Sequence, residues 1–406
     1  MTQSKRITIL GFSVLVLWAG REARGQLRTD QIESARTEKE ANLKPYAPSK
    51  AEQVVESIEN SLPYRLLTSE TRGFSLGFGN VAPGAGFAIG PTYTRPFGER
   101  GIILRIDARA AINKSYGGRV ELAIPRLFTD RTFLDFSTQY RNLSEMPYYG
   151  PGPESSKTGR SNYRLEDANF ELRPGVRVFK GLSAGAIGSY LAVNTGPGQA
   201  SAYISTEEQF GPAATAGIDR QTNFWRGGGF VEYDWRDRSA YPTRGGKYLA
   251  QYVRHLDRKL GSYSFGRLDL DATQYVPLFN RTRVFTVHGA SSLTTAGDGQ
   301  HVPFYLQPTL GGANTLRGYR FYRFYGDNSV MLNGEYRWFC SPVLDMAAFV
   351  DAGKVFDRWE QWNLHNLKSD VGFSLRFKGR AARPAFTLDT GFSHEGFQIW
   401  FRVNTN

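Results

Sequence analysis

From Gly73 to the last residue, apolar and polar side chains alternate with a period of two, and this alternation limits what the chain can fold into more than any other feature. Residues 104–110 read LRIDARA and residues 371–377 read VGFSLRF, so each segment has an apolar face opposite a face of polar, charged or small residues. The apolar rows are often aromatic and run over about 8 to 10 residues, the length that a tilted strand needs to cross a bilayer. Since a sheet in lipid cannot leave its edges unpaired, so many strands must close on themselves. The pattern predicts an all-β transmembrane antiparallel barrel.

The same alternation predicts about sixteen strands and their order. The expected spans are 73–79, 84–95, 101–113, 116–125, 131–141, 163–178, 182–194, 224–236, 246–256, 262–277, 281–294, 328–338, 343–353, 367–377, 384–392 and 396–404. Long connections follow odd-numbered strands and short ones follow even-numbered strands, apart from two short outer connections after strands 9 and 15. Bacterial barrels have short periplasmic turns and long outer loops, so the alternation predicts an even strand count with both chain ends in the periplasm.

The first 72 residues are of a different kind. Residues 1–25 read as a cleaved secretory signal peptide: Lys5 and Arg6 precede an apolar run, and Ala23-Arg24-Gly25 is a small-x-small cleavage site. Residues 26–72 are polar and read as a periplasmic linker, with one short amphipathic helix expected over 51–67. After residue 25 no apolar run reaches about 18 residues, which excludes helical membrane spans. We therefore expect an exported chain whose barrel, residues 73–406, lies in the bacterial outer membrane.

Composition removes several other classes of function. The chain carries a formal net charge of +12, but its basic residues recur singly among acids, which does not favour nucleic-acid binding. The five histidines show no metal-ligand spacing, and the single cysteine, Cys340, allows no internal disulfide. GxSxG occurs around Ser75 and Ser183, yet both copies lie in strand-like stretches without the following helix that a hydrolase elbow needs. We expect no enzyme, no cofactor and no metal, and a serine hydrolase remains the weakest alternative.

Four segments in the last third of the chain carry a resemblance to a known family. They are GGANTLRGYRF at 311–321, GEYRW at 334–338, FVDAG at 349–353 and VGFSLR at 371–376. At these residues the chain resembles the BamA/TamA family of outer-membrane assembly barrels, also called the bacterial surface-antigen family. Residues 234–246, with DWRD and PTRGG, look like the family's turn between strands 8 and 9. The resemblance covers about residues 73–406.

The resemblance implies that the loop after strand 11 folds back into the barrel lumen. Its LRGY-type tip, here Arg317, Gly318 and Tyr319, would then place the arginine against acids on strands 12 and 13, at Glu335 and Asp351. Strand parity independently points both acids inward, and a guanidinium presents a planar fork of donors to carboxylates. Gly318 would permit a tight loop. The alternative is that Arg317 is only a solvated loop arginine.

The resemblance also implies a lateral seam, formed by weak pairing of the first and last strands, through which client strands enter lipid. The glycines of the first strand, Gly73, Gly77 and Gly79, offer little to pack, although they could equally relieve crowding at the wall. In the last strand, Gly396, Ile399 and Phe401 resemble the signal by which barrels are assembled, with the departure that the chain ends at an asparagine.

Residues 26–72 are too few for one of the periplasmic polypeptide-transport-associated (POTRA) domains that such barrels usually carry, so the chain looks like a barrel without them. The expected function is to assist insertion or translocation of protein, or of lipid, at the outer membrane. The alternative is a passive pore or structural barrel plugged by its lumen loop. Expected partners are outer-membrane lipid, client outer-membrane proteins and periplasmic factors, and the barrel is expected to be monomeric.

Overall fold

The computed structural model describes residues 73–279, 282–378 and 384–403, together with six isolated positions before residue 73. The predicted signal peptide and, apart from two single positions, the predicted helix over 51–67 lie outside the described residues. None of the helices in the described ranges is long and apolar enough to cross a membrane.

Sixteen antiparallel strands form one sheet in which each strand pairs with its neighbours in sequence. They are β1 (Phe74–Gly79), β2 (Ala88–Phe97), β3 (Ile102–Ala111), β4 (Tyr116–Ile124), β5 (Thr132–Tyr148), β6 (Ser161–Phe179), β7 (Leu182–Pro197), β8 (Phe224–Asp234), β9 (Gly245–Asp257), β10 (Phe265–Leu278), β11 (Arg283–Ala296), β12 (Asn328–Phe339), β13 (Leu344–Phe356), β14 (Lys368–Lys378), β15 (Pro384–Ser393) and β16 (Gly396–Val403). The sheet is a nearly closed barrel, which confirms the predicted fold class and strand count. A two-residue ladder, Thr309–Leu310 with Phe324–Tyr325, lies within the long loop after β11.

Some strand boundaries differ from those expected, for physical reasons. β2 begins at Ala88 and not at residue 84, because Gly84 and Gly86 have φ angles of +74° and +76° and turn the chain before the strand begins. β5 continues to Tyr148, beyond the predicted end at residue 141. Alternation stops being visible in its last residues because loops bury both faces of the strand there.

The two faces of the sheet differ in exposure and in chemistry. The outward side chains of Val350, Val371 and Phe397 are 53%, 53% and 61% exposed. The inward carboxylates of Asp351 and Asp389 are fully buried. The polar face of the sheet is buried and the apolar face is exposed, which is the reverse of a soluble β-sandwich. This arrangement suits a barrel wall whose outer face contacts lipid.

Aromatic side chains form a buried cluster at the end of the barrel where the long loops lie. The ring of Tyr148 meets the rings of Phe304 and Tyr325 edge-to-face, with centroids 5.3 and 4.8 Å apart. Two of the buried hydroxyls have backbone partners: Tyr148 donates to the carbonyl of Ala214 at 2.6 Å, and Tyr325 donates to that of Pro147 at 2.8 Å. The loops are therefore packed against the wall and against one another.

The sheet has one discontinuity. Along the described chain, ladders join every pair of successive strands, whereas none joins β1 to β16. These two strands nevertheless come within 8 Å of each other at a few Cα atoms. Within the ranges that the structure describes, the barrel therefore meets itself at two strand edges that are close but joined by no ladder.

Candidate functional site

The guanidinium of Arg317 lies between two carboxylates of the inner wall. Arg317 belongs to the long loop after β11 (residues 297–327, called the lumen loop after the position predicted for it). Its Nε and Nη2 donate to the two carboxylate oxygens of Asp351 at 2.8 and 2.7 Å, and its Nη1 donates to Glu335 Oε2 at 3.3 Å. The backbone N–H of Arg317 also donates to Asp351, at 3.1 Å. The ring of Phe349 lies 3.3 Å from the guanidinium carbon. All of the charged groups are buried, so water cannot easily replace these contacts.

Glu335 is shared between two arginines. Arg376 of β14 donates from Nη2 to the same Glu335 oxygen at 2.6 Å. Asn333 of β12 donates to Asp351, so that this carboxylate also has a partner within the wall. The alternation of β14 predicted that Arg376 points into the barrel. It could not predict that Glu335 is the partner of Arg376. The result is a buried network with donors on both sides of each acid.

Glycines on the loop and on the wall allow this close approach. A Cβ placed on Gly318 would lie 2.5 Å from the Cβ of Asp370, and one placed on Gly391 would lie 2.5 Å from the carbonyl carbon of Arg317. Neither contact is tolerable between real atoms. Both glycines are needed because the backbone of the loop lies directly against the barrel wall here. Neither glycine has the positive φ angle that often explains a glycine.

The lumen loop also contacts the last hairpin of the barrel, β15–β16. Trp400 of β16 donates from its indole Nε1 to the carbonyl of Arg317 at 2.7 Å. Ser393 donates to the carbonyl of Gly318 at 2.9 Å, and the hydroxyl of Tyr319 lies 3.0 Å from His394 Nδ1. The three predicted tip residues thus lie together, and each touches the hairpin that borders the unpaired edge. Sequence reasoning missed these contacts, since nothing in the sequence relates the loop to residues 393–400.

A second loop arginine fixes the turn of that hairpin. Arg323, almost fully buried, donates from Nε to both oxygens of Glu395 at 3.0 Å and from Nη1 to Ser155 Oγ at 2.8 Å. Lys157 donates to the carbonyl of Glu395, and Lys368 pairs with Glu154 at 2.8 Å. The connection 149–160 therefore reaches across to the turn 394–395, and Arg323 ties the two together.

The turn between β8 and β9, residues 235–244, packs on the same wall from the opposite end. Tyr241 donates to Asp345 Oδ2 at 2.6 Å, Lys378 donates to Asp345 Oδ1 at 2.8 Å, and the guanidinium of Arg337 stacks over the Tyr241 ring at 4.1 Å. Within the turn, Asp237 accepts from the backbone N–H and the hydroxyl of Thr243 at 2.9 and 2.6 Å. The inner face of β12–β14 is therefore in contact with inserted chain from both ends.

The predicted seam residues lie on the two unpaired edges. Gly73 and Gly79 have φ angles of +92° and +145°, which L side chains rarely adopt, and a Cβ on Gly77 would lie 2.7 Å from Thr92 Oγ1. The close approach at Gly77 agrees with relief of crowding, one of the two explanations that the sequence left open, and the φ angles at Gly73 and Gly79 add a backbone reason for glycine. On the last strand, Ile399 and Phe401 point outward and are 57% and 62% exposed.

The two serines of the GxSxG matches lie within strands of the barrel wall. Ser75 lies in β1 and Ser183 in β7, each within a continuous strand of the sheet, whereas a hydrolase elbow requires a strand-to-helix turn. Across the described ranges, no group of three or more His, Cys, Asp or Glu side chains is placed to hold a metal ion.

A sixteen-stranded, nearly closed antiparallel barrel with an apolar outer face and a charged lumen defines the class of bacterial outer-membrane β-barrels. The sequence matches the Omp85 superfamily domain over residues 97–388. The chain therefore belongs to the Omp85 superfamily of outer-membrane barrels.

Solved structures share the fold at low sequence identity. The structure of BamA from Haemophilus ducreyi lacking POTRA domains 1–3 superimposes with a TM-score of 0.61 and 17% identity, over 81% of this chain and 69% of that one. CdiB from Escherichia coli superimposes with a TM-score of 0.52 and 11% identity, over 82% of this chain and 60% of CdiB. No curated protein gives a significant match to the sequence. The likeness to BamA and CdiB is one of fold.

Proposed function

We propose that this Omp85-superfamily barrel assists the insertion or translocation of protein, or of lipid, at the outer membrane. The observation that carries the proposal is the pair of strand edges, β1 and β16, that lie close together without a ladder in the described chain. An exposed edge is a row of unpaired N–H and C=O groups and is a template for another strand. A client strand could add to either edge while its outward side chains enter lipid beside Ile399 and Phe401.

The lumen-loop contacts support a division of roles within this proposal. Arg317, Gly318 and Tyr319, with Glu335 and Asp351, would lock the loop to the inner wall. Gly73, Gly77 and Gly79 on one side, and Gly396, Ile399 and Phe401 on the other, would form the lateral seam. The bonds from Trp400 of β16 and Ser393 of β15 to the loop would hold the last hairpin, which carries one side of the seam, against that lock.

The proposal includes the organisation of the whole chain. Residues 1–25 would be removed as a signal peptide, residues 26–72 would link or recruit periplasmic factors, and residues 73–406 would act as a monomeric barrel. Clients would be outer-membrane polypeptides or lipid, and the work would use no cofactor and no bond-breaking chemistry.

A disulfide across the seam tests the proposal. In a Cys340→Ser background, Ile399→Cys is combined in turn with cysteine at each position from 74 to 79, and the pair that crosslinks is kept. The purified barrel in vesicles is then given an unfolded small outer-membrane protein, and its folding is followed by resistance to heat in gel electrophoresis. We expect the oxidised seam to abolish the assistance and reduction to restore it.

A matched control uses the ladder that already exists beside the seam. Thr390 and Ile399 are direct cross-strand partners, so Thr390→Cys with Ile399→Cys adds a disulfide without closing the seam. This tether should leave activity unchanged. Full activity in the oxidised seam variant would rule out lateral entry between β1 and β16.

The second candidate function is a passive pore or structural barrel, favoured by the number of buried contacts that keep the loop inside the lumen. It predicts measurable conductance in planar bilayers that rises when residues 311–325 are deleted. A membrane that stays closed with both forms of the protein would contradict it.

A further inference from the structure

The outer wall of the barrel has a depression across β8–β12. A cavity of about 430 Å³ opens there onto the lipid-facing side. Its floor consists of small outward residues, Ala250, Ala272, Gly289 and Ser291, and two of these, Ala272 and Gly289, are direct cross-strand partners. Larger outward side chains, such as Leu332, stand at its rim. The depression exists because these floor residues are small, whereas the other outward residues of the wall are mostly large.

One loop residue covers the end of this groove nearest the long loops. Trp362, in the connection 357–367 after β13, lies along the outer wall and donates from its indole Nε1 to Ser291 Oγ at 3.2 Å. Because Trp362 comes from a loop and not from the sheet, its indole bounds the groove at the end where Ser291 lies. A slender apolar chain lying in the groove would contact the indole at that end.

Two polar groups at the ends of the groove already have partners. Ser291 Oγ accepts from Trp362 and itself donates to the carbonyl of Ser329 at 2.9 Å. At the opposite end, the hydroxyl of Tyr248 donates to the side-chain carbonyl of Gln274. Much of the remaining lining is aliphatic, as at Leu270, Val330 and Leu332, and such a lining favours an apolar occupant over a polar or charged one.

We propose that this groove holds a single hydrocarbon chain of a membrane lipid as a bound ligand, distinct from the exchanging lipid around the barrel. The groove is continuous with the lipid-facing wall, so the molecules that reach it are acyl chains. Its volume lies within the range of about 300–1,000 Å³ that ligand sites occupy.

Photolabelling with a lipid probe tests this. The full chain is reconstituted in phosphatidylethanolamine and phosphatidylglycerol vesicles containing a trace of phosphatidylcholine with a diazirine in one acyl chain. After irradiation, labelled peptides are quantified by mass spectrometry. We expect adducts around Gly289, Leu332 and Trp362 at several-fold the level found around Val371, an outward residue of β14 outside the groove.

Two variants should abolish the excess labelling. Gly289→Leu fills the floor, and a Cβ there meets nothing closer than 3.4 Å, so the strand can accept it. Trp362→Ala removes the loop-side boundary without touching the sheet. Gly188→Leu is the matched control, because Gly188 also faces outward on β7 and an added Cβ meets nothing within 4 Å.

The excess should fall to the level around Val371 in Gly289→Leu and Trp362→Ala, and stay in Gly188→Leu. Uniform labelling of the wild-type wall would overturn the proposal. So would excess labelling that survives both groove variants in folded barrels, or a groove occupied by a co-purifying protein in place of lipid.

Discussion

The indole N–H of Trp400 donates to the backbone carbonyl of Arg317 at 2.7 Å, so the loop residue that is ion-paired to the inner wall is also bonded to the last strand of the barrel. The ring of Trp400 additionally packs on that of Phe321, with centroids 4.4 Å apart. The contacts of Trp400 therefore connect β16, an edge strand of the sheet, to the lumen loop.

Replacing Trp400 with phenylalanine should weaken this link without removing the ring contact. The carbonyl of Arg317 would lose its indole donor, at a net cost of about 0.5–1.5 kcal/mol for one hydrogen bond. Hydrogen exchange in vesicles should show faster exchange of amides in β16, with little change in β5–β6. Exchange that is uniform across the barrel would mean that the bond does not hold the edge strand.

Removing either charge from the Arg317–Asp351 pair should loosen the lumen loop strongly. Breaking a buried pair leaves one charge uncompensated, which costs about 3–5 kcal/mol. Because both substitutions destroy one contact, Arg317→Ala and Asp351→Ala should not be additive, and the double variant should be little worse than either single one. The measurement is the free energy of unfolding in urea for the four proteins of the cycle.

An exposed pair on the same barrel serves as the comparison. Arg105 and Glu121 lie 3.4 Å apart with side chains 49% and 33% exposed. Breaking that contact should change the free energy of unfolding by only about 0–1 kcal/mol. Additive effects at Arg317 and Asp351 would indicate that the two side chains act independently.

A single methyl group at Gly318 should push the loop off the wall. The added Cβ would lie 2.5 Å from that of Asp370, and such overpacking costs about 1–3 kcal/mol. Gly334→Ala is the matched control, because an added Cβ there meets nothing within 4 Å. Protease cleavage within residues 311–325 should accelerate in Gly318→Ala alone. Equal cleavage rates in the two variants would show that the loop tolerates bulk at its tip.

The turn at 235–244 should loosen in acid. Burial raises the pKa of Asp237, but hydrogen bonds from Thr243 and from the backbone N–H of Arg244 outweigh it and hold the pKa below its ordinary value of 3.8. A depressed folded-state pKa means that the carboxylate stabilises the turn at pH values above 3.8 and loses that effect as the pH falls through the folded pKa.

A spin label at Arg238→Cys, in a Cys340→Ser background, reports this directly. Its mobility should rise as the pH falls below about 3.8 in the otherwise native turn. With Asp237→Asn added, the label should be mobile across the whole pH range. A label whose mobility is the same in both proteins at neutral pH would contradict the role given to Asp237.

Much of the barrel could be predicted from the sequence because the membrane imposes one rule on every strand. Lipid outside and a polar lumen inside make alternation visible wherever a strand crosses the bilayer, and this placed all sixteen strands. The rule fails beyond the bilayer, which is why the end of β5 was predicted seven residues early: from Leu143 to Tyr148 most side chains pack on loops whichever way they point.

The loop contacts were predictable only where parity and motif agreed. Parity pointed Glu335 and Asp351 inward, and the LRGY segment supplied Arg317 as a partner. The bonds from Trp400 and the tie between Arg323 and Glu395 depend on which parts of the loop reach the last hairpin. That is decided by the three-dimensional path of residues 297–327, which no spacing in the sequence encodes.

The tie between Arg323 and Glu395 has a consequence for the cell envelope. The turn 394–395 joins β15 to β16, the strand that would border the proposed seam, and Arg323 belongs to the long loop after β11. If this hairpin swings outward to admit a client, it must either break the Arg323–Glu395 contact or move the loop with it. In the second case each opening event would carry a brief ion leak, and the number of bonds that the hairpin shares with the loop would set how rarely the leak occurs.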